Sequence, residues 1–179
     1  MYAIISEIDA QSSEKVNQIW RKLCNACGLE AIYKIPTPHF TWLVAEALDV
    51  EQVKLKLSNV IQDSPHISTH TFGIGLFSGE RPILFLPMVK TIEMIQRHQY
   101  IWDEIRPYCT DLKLYYSPKF WIPHITLALK DISRENLPCA INEIGFEKIE
   151  LKVSITSFAI AEHEDEKLGT ILERFPVGD

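Results

Sequence analysis

Two short stretches of the chain repeat the same order of residue types. Residues 37–42 read Thr-Pro-His-Phe-Thr-Trp and residues 122–127 read Ile-Pro-His-Ile-Thr-Leu, so both follow the order proline, histidine, apolar, threonine, apolar. With six histidines in 179 residues, chance produces roughly 0.3 His-x-Thr triplets before any flanking residue is matched. Two extended copies therefore indicate one functional site that contains His39, Thr41, His124 and Thr126.

Paired imidazoles can carry out acid-base chemistry on a phosphate. One ring removes a proton from the nucleophile while the other protonates the leaving oxygen, and histidine suits both tasks because its ordinary pKa is about 6.5. The hydroxyls of Thr41 and Thr126 can donate hydrogen bonds to phosphoryl oxygens. This chemistry needs neither a metal nor another cofactor, and we expect none. The sequence does not decide which histidine is the base and which is the acid.

Strand geometry would present these side chains together. On a strand, His39 and Thr41 project to one face while Phe40 and Trp42 project to the other, and the second motif repeats this alternation. The proline before each histidine favours an extended entry to the strand. The two motifs lie 85 residues apart, close to half the chain, which suggests one motif in each of two lobes facing a shared cleft.

Hydrophobic periodicity predicts both helices and strands in each half of the chain. Their order favours antiparallel pairing, so we predict an α+β fold with two pseudo-symmetric lobes, each an antiparallel sheet flanked by helices, and an active-site cleft between them. Ser12 or Ser13 is expected to cap the first helix, and Gly28 to end it. The predicted strands are 2–8, 40–45, 67–77, 83–87, 124–129, 151–161 and 170–175, and the predicted helices are 13–27, 50–61, 91–108 and a short one within 133–144.

Composition and charge limit the classes of partner. Hydrophobic residues make up 46% of the chain, as in globular proteins, and the formal net charge is -6. Proteins that hold long nucleic acid through its phosphates need a basic surface, so this charge argues against that class but allows a small nucleotide or one RNA terminus. The first strand is too short for a membrane span and lacks the features of a signal peptide. We expect a cytoplasmic monomer with no membrane partner.

The four cysteines do not have the spacing of a zinc site, and nothing in their use suggests an oxidising compartment. Cys24 and Cys27 form a C-x-x-C pair, but late in a predicted helix, whereas redox pairs favour a helix N-terminus. We interpret this pair as structural.

The motif pair resembles the 2H phosphoesterase superfamily, and within it the 2′-5′ RNA ligase and cyclic phosphodiesterase branch. The similarity also extends to residues 72–77 and to the last hairpin. It implies a single bilobal domain over residues 1–179, a metal-independent phosphodiesterase, and catalysis by His39, Thr41, His124 and Thr126. It further implies substrates that are RNA or nucleotide ends with a 2′,3′-cyclic phosphate or a 2′-5′ linkage.

Other residues could bind the substrate or imitate the motif. Lys119 and Arg81 could balance phosphate charge, and Trp121 or one of Tyr115, Tyr116 and Phe120 could stack on a base, although core packing is the commoner role of such rings. His66 lies in a Pro-His-Ile-Ser stretch that breaks the half-chain spacing. His163 lies in an acidic run that we interpret as a solvated hairpin turn rather than a metal site.

Two rival functions remain open. One is a nucleotide-binding module that performs little or no catalysis. The other is a two-histidine metalloenzyme, although the sequence lacks the additional carboxylate or cysteine ligands at a recognisable spacing that such a site would need.

Overall fold

The computed structural model describes residues 1–62, 67–164 and 167–177, and it contains two antiparallel sheets together with four α-helices in these ranges. No helix within these ranges is both long and apolar enough to cross a lipid bilayer. The strands are β1 (Tyr2–Ile8), β2 (His39–Leu48), β3 (Ser68–His70), β4 (Gly75–Phe77), β5 (Ile83–Pro87), β6 (Cys109–Leu112), β7 (His124–Leu129), β8 (Lys152–Glu164) and β9 (Lys167–Pro176); the helices are α1 (Ala10–Cys27), α2 (Val50–Gln62), α3 (Ile92–Ile105) and α4 (Leu137–Ile144).

The two sheets differ in size. The larger sheet has the strand order β3-β8-β1-β2-β6 with β9 paired to β8, and the smaller has the order β4-β5-β7. The predicted α+β fold with two antiparallel sheets is therefore confirmed. The sheets do not correspond to the two halves of the chain, because the closing hairpin β8-β9 returns to pair with β1.

The first helix shows how local sequence sets its ends. The side chain of Asp9 accepts a hydrogen bond from the backbone N–H of Ser12 at 2.8 Å, so Asp9 is the N-cap and the helix begins before the predicted residue 13. Gly28 ends the helix as expected, since it adopts a left-handed conformation with φ of 68°. The predicted serine caps were wrong, although the hydroxyl of Ser12 donates to the carbonyl of Lys152 on β8.

The predicted strand 67–77 is two strands in different sheets. Its first part is β3, which pairs with β8 in the larger sheet, and its last part is β4, which pairs with β5 in the smaller one. Between them Gly73 has a φ of 69°, which turns the chain and is a conformation that glycine adopts without strain. The strand-favouring residues of this stretch did not reveal the change of sheet. The short strand β6, which extends the larger sheet beyond β2, was not predicted either.

One hydrophobic core joins both sheets and the helices. Trp42 lies at its centre with 0% exposure and stacks on Trp121 and Phe158, with ring centroids 5.1 and 5.6 Å apart. Phe40, Ile125 and Leu127 belong to the same cluster. The apolar residues of both motifs therefore anchor β2 and β7 to one core, which fixes the relative position of the two strands.

A disulfide bond joins α1 to α4. Cys27 pairs with Cys139, which is 112 positions later in the sequence, with Cα atoms 5.8 Å apart, while Cys24 and Cys109 are free thiols. The C-x-x-C pair is thus not bonded to itself, and the cysteine spacing gave no indication of this long-range bond.

Candidate active site

The two motif strands expose their side chains in the same pattern. Along β2, His39 and Thr41 are partly exposed while Phe40 and Trp42 are buried, and along β7 the same alternation holds for His124 and the three residues that follow it. The histidines and threonines of both motifs thus share one orientation relative to the core.

Both catalytic candidates have the same ring orientation. Nδ1 of His39 lies 2.9 Å from the carbonyl oxygen of Thr37, and Nδ1 of His124 lies 2.7 Å from that of Ile122. Because a carbonyl oxygen only accepts hydrogen bonds, Nδ1 carries the proton in each ring and donates it. The basic nitrogen of each neutral imidazole is therefore Nε2.

His124 lies in an aromatic environment. Its ring centroid is 5.0 Å from those of both Phe77 and Phe85. Burial lowers the pKa of His124 below 6.5, and the charge of His39 lowers it further, whereas the hydrogen bond to Ile122 acts in the opposite direction. β2 and β7 contact each other, which brings the two motif strands together.

Two indole groups hold the backbones of the motif threonines. Trp121 Nε1 donates to the carbonyl oxygen of Thr41 at 2.8 Å, and Trp20 Nε1 donates to that of Thr126 at 3.0 Å. In the described ranges β7 is an edge strand, and β6 pairs with β2 only from Ala45 onward. Neither threonine therefore has a strand neighbour on its outer side, and the indoles satisfy the carbonyl groups instead.

The threonine hydroxyls remain available to a ligand. Among the described residues, the side-chain oxygens of Thr41 and Thr126 make no hydrogen bond, and both residues are partly exposed. They could therefore donate to phosphoryl oxygens held between the two imidazoles.

A cavity of about 460 Å³ opens beside His124 and is lined mainly by aromatic and aliphatic side chains. Burial raises the pKa of Tyr116 in its wall to about 12, so this phenol stays neutral at physiological pH. Apolar walls with a few polar groups are typical of small-ligand sites. The wall includes Phe77, Ile83, Tyr115, Tyr116, Phe120 and His124.

The predicted substrate-binding residues differ in their placement. Lys119 is exposed with its Nζ 5.2 Å from the ring centre of Phe120, and Arg81 is exposed in the turn before β5. Trp121 is buried, at 2% exposure, and stacks on His98 with ring centroids 3.9 Å apart. It therefore does not line this cavity, because its ring completes the core.

The competing histidines do not form a second site in the described residues. His98 is buried and its Nε2 lies 3.0 Å from the carbonyl oxygen of Trp42, so its role is structural. His66 and the side chain of His163 lie outside the described part of the chain. Over the residues that the structure does describe, no three His, Cys, Asp or Glu side chains are grouped so that they could hold a metal ion.

Several residues that shape the site were missed by sequence reasoning. Phe77 and Phe85 surround His124, and Trp20 holds Thr126 from a helix 106 residues away. Gly75 contributes by its small size, since a Cβ there would lie 2.4 Å from the ring of Phe85. The glycine between apolar residues was a visible signal, but the partners of Phe85 and Trp20 could not be read from local spacing.

Comparison with known proteins identifies the fold and the family. A sequence profile of the 2′-5′ RNA ligase superfamily matches residues 8–167. Comparison with curated protein sequences gives no match. The fold is similar to that of Escherichia coli LigT in complex with 3′-AMP, with a TM-score of 0.63 at 17% identity over 99% of this chain and 98% of that chain.

Two further structures share the fold. A structure described as a phosphoesterase has a TM-score of 0.62 at 17% identity and covers 99% of this chain and 98% of its own. Usb1 from Kluyveromyces marxianus has a TM-score of 0.52 at 8% identity over 98% and 97% of the two chains. These structures support the fold alone. The profile, which spans most of the sequence, establishes the family. The protein therefore belongs to the 2′-5′ RNA ligase superfamily of phosphoesterases, as its paired histidine motifs indicated.

Proposed function

We propose that the protein is a metal-independent phosphodiesterase that acts on 2′,3′-cyclic phosphates or on 2′-5′-linked RNA or nucleotide ends. His39 and His124 act as the acid and base, and Thr41 and Thr126 hold the phosphoryl oxygens. The observation that carries this proposal is the matched orientation of the two rings, each of which donates Nδ1–H to the carbonyl two residues earlier in the chain. Acid-base catalysis needs this fixed tautomer, because it makes Nε2 the proton-transferring atom in both rings.

The environment of the two rings supports different protonation states for the two imidazoles. Burial lowers the pKa of His124, so this imidazole is neutral near pH 7 and can accept a proton. The charge of one ring disfavours a charge on the other, which favours a resting state with at most one proton on the two Nε2 atoms. A single shared proton is what an exchange between acid and base requires.

The cavity supports a nucleotide as the substrate. Its aromatic wall reaches His124 and could receive a nucleobase by stacking while the phosphate lies between the two motifs. LigT of Escherichia coli has been crystallised with 3′-AMP and with ATP, which supports the same ligand class for this chain. Lys119 and Arg81, which are exposed and lie close in sequence to the lining residues Phe120 and Ser78, could balance phosphate charge.

Hydrolysis of 2′,3′-cyclic nucleotides in the presence of a chelator tests the proposal. We expect His39→Ala and His124→Ala each to lose turnover by about 100-fold or more, since each removes one proton-transfer step. His70→Ala, at an exposed position on β3, is the matched control and should retain wild-type turnover. Nucleotide binding without turnover by the wild type would instead support a binding module, and activity that disappears with the chelator would support a metalloenzyme.

A further inference from the structure

A charged cluster lies beside His39 on the same face of the larger sheet. Glu7 on β1 is directly paired with His39 on β2 and with Ser157 on β8. Directly paired residues of antiparallel strands project to the same face, so these side chains share the face that carries the first motif. Arg174 on β9 joins them, with its Nε 3.2 Å from both carboxylate oxygens of Glu7.

The cluster holds the guanidinium group of Arg174 in place. The side chain of Glu7 is held in one position, since it is only 16% exposed and accepts a second hydrogen bond from the hydroxyl of Ser157 at 2.7 Å. Arg174 is 54% exposed and uses only Nε for this contact. Within the described ranges, its two terminal amino groups make no hydrogen bond. These groups suit a phosphate, because the planar guanidinium fork binds phosphate oxygens in a bidentate manner.

The cavity gives the substrate a direction. It contacts His124 but none of His39, Glu7 and Arg174. If a nucleobase occupies this cavity, the sugar of the next nucleotide, on the other side of the reacting phosphate, lies on the side of His39. The next phosphate of the strand then approaches the cluster that contains Arg174.

We propose that Arg174, held by Glu7 and Ser157, binds the phosphate one nucleotide beyond the reacting phosphate, so that the site takes an oligonucleotide end rather than a mononucleotide alone. This inference rests on the proposed function. It assigns the cavity to the nucleotide on the His124 side and the cluster to the nucleotide on the His39 side.

The same direction assigns each proton transfer. In cleavage, a ribose hydroxyl of the nucleotide in the cavity gives its proton to Nε2 of His124 as its oxygen bonds to phosphorus. The bond from phosphorus to the departing 5′-oxygen breaks, and that oxygen takes a proton from His39. In hydrolysis of the resulting cyclic phosphate, water gives a proton to His39 and the ribose oxygen takes one from His124, so both rings return to their initial states.

Calorimetric binding of two unreactive dinucleotides tests the assignment. Both lack the attacking ribose hydroxyl, and only one carries a terminal 3′-phosphate. We expect that phosphate to tighten binding by about 10-fold in the wild type, as a charge-assisted contact does. In Arg174→Gln the advantage should fall below about twofold, and in Arg174→Lys it should be intermediate because the charge remains but the bidentate fork is lost.

Arg21→Gln is the matched control. Arg21 is 52% exposed and also pairs with a single carboxylate, that of Glu14 on α1, so the variant makes the same change in charge on a different element, outside the cluster and the lining of the cavity. It should keep the full advantage of the terminal phosphate. Thermal unfolding of each variant shows whether the fold is retained, and Arg174→Lys preserves the ion pair if the glutamine variant is unstable.

The outcomes separate this inference from the proposed function. Equal binding of the two dinucleotides by the wild type, or equal loss of the phosphate advantage in Arg21→Gln, would overturn the role of Arg174 even if cyclic nucleotides are hydrolysed. A phosphate advantage that depends on Arg174 in a protein without turnover would support the subsite and reject the catalytic proposal. If neither dinucleotide binds, the role of Arg174 is overturned, and hydrolysis of the cyclic nucleotides alone then decides the catalytic proposal.

Discussion

The indole N–H of Trp121 donates a hydrogen bond to the carbonyl oxygen of Thr41 over 2.8 Å, although the two residues are 80 positions apart. Trp121 comes three residues before His124, so this bond ties the approach to the second motif to the backbone of the first. The bond fixes a buried edge of β2 at the point where the threonine hydroxyl faces the cleft. This arrangement predicts that Trp121 positions the backbone of Thr41 rather than contacting the substrate.

Trp121→Phe should lower kcat/KM by about 10-fold when the rate is expressed per folded molecule. Phenylalanine keeps most of the ring but leaves the Thr41 carbonyl without its donor, and an unpaired buried carbonyl costs about 1–3 kcal/mol. Because that cost is relieved by a shift of β2, the hydroxyl of Thr41 should be misplaced. Steady-state kinetics and thermal unfolding of the same variant measure the two effects.

Trp102→Phe is the control for the loss of an indole. Trp102 belongs to the same aromatic group, with its ring 6.5 Å from that of His98, but it makes no hydrogen bond to a motif strand in the described residues. It should lose stability with little change in kcat/KM. Equal kinetic losses in the two variants would show that the hydrogen bond has no specific role.

A feature of the site could be predicted when it depends on residues that are close together in the sequence, and not when it depends on residues that are far apart. The alternation of His39 and Thr41 with Phe40 and Trp42 follows from the two-residue period of a strand, so the motif alone predicted it. The bonds from Trp121 and Trp20 depend on how helices and loops pack across 80 and 106 residues. No local pattern encodes such partners.

The same distinction explains what could not be predicted. Burial of Trp121 in the core could not be separated from exposure in the cleft, because an aromatic residue before the motif suits either place. The Cys27–Cys139 bond joins two helices that periodicity predicted separately. The stretch 67–77 was predicted as one strand because the left-handed turn at Gly73, which divides it between two sheets, is a feature of the backbone and not of the hydrophobic pattern.

Phe77→Ala should shift one limb of the pH–rate profile to higher pH. Burial by the aromatic rings lowers the pKa of His124 below 6.5, so the limb governed by this residue lies below that value in the wild type. Removing the Phe77 ring, 5.0 Å away, admits water and relieves the desolvation, which raises the pKa. The pH dependence of kcat/KM for a 2′,3′-cyclic nucleotide measures the shift.

Phe72→Ala is the control for this shift, because Phe72 is 70% exposed and its ring does not contact His124. Its profile should coincide with that of the wild type. If the profile of Phe77→Ala also coincides with it, burial by this ring does not set the titration of His124.

Gly75→Ala should disturb the site through a second side chain. A Cβ at this position would lie 2.4 Å from the ring of Phe85, which itself packs against His124. The ring must move, at a cost of about 1–3 kcal/mol typical of overpacking, and kcat/KM should fall with stability. Denaturant unfolding and steady-state kinetics measure both effects.

Gly73→Ala distinguishes overpacking from backbone strain. Gly73 has a φ of 69° but no atom within 4 Å of the added Cβ, so alanine there should cost about 1 kcal/mol through strain alone. We expect this variant to keep the kcat/KM of the wild type. A Gly75→Ala variant with unchanged kinetics would show that Phe85 does not position His124.

The stability of the protein should fall as the pH decreases from about 6.5 towards 4, because of His98. Burial lowers the pKa of His98 from 6.5 to about 4. The unfolded chain therefore binds a proton in this range while the folded protein does not. As a result the free energy of unfolding decreases by at most about 3 kcal/mol. This stability is fully present above pH 6.5. Urea unfolding at a series of pH values measures it.

His98→Phe should reduce this pH dependence, since phenylalanine keeps a ring against Trp121 but cannot titrate. The variant loses the hydrogen bond to the Trp42 carbonyl, so its stability should be lower at neutral pH. The informative quantity is the slope against pH rather than the absolute value. An unchanged slope would assign the acid sensitivity to other groups.

Reduction of the Cys27–Cys139 bond should lower the free energy of unfolding by about 2–4 kcal/mol, because the bond closes a loop of more than one hundred residues in the unfolded chain. Thermal unfolding with and without a reductant measures the loss, and Cys27→Ser should match the reduced wild type. Cys24→Ser, which removes a free thiol one turn earlier in the same helix, should leave the effect of the reductant intact. A wild type that unfolds at the same temperature in both conditions would show that the bond contributes nothing to stability. Because α1 also carries Trp20, which holds the Thr126 carbonyl, loosening the helix by reduction should lower kcat/KM as well. Cys24→Ser should show the same loss on reduction and no loss without the reductant.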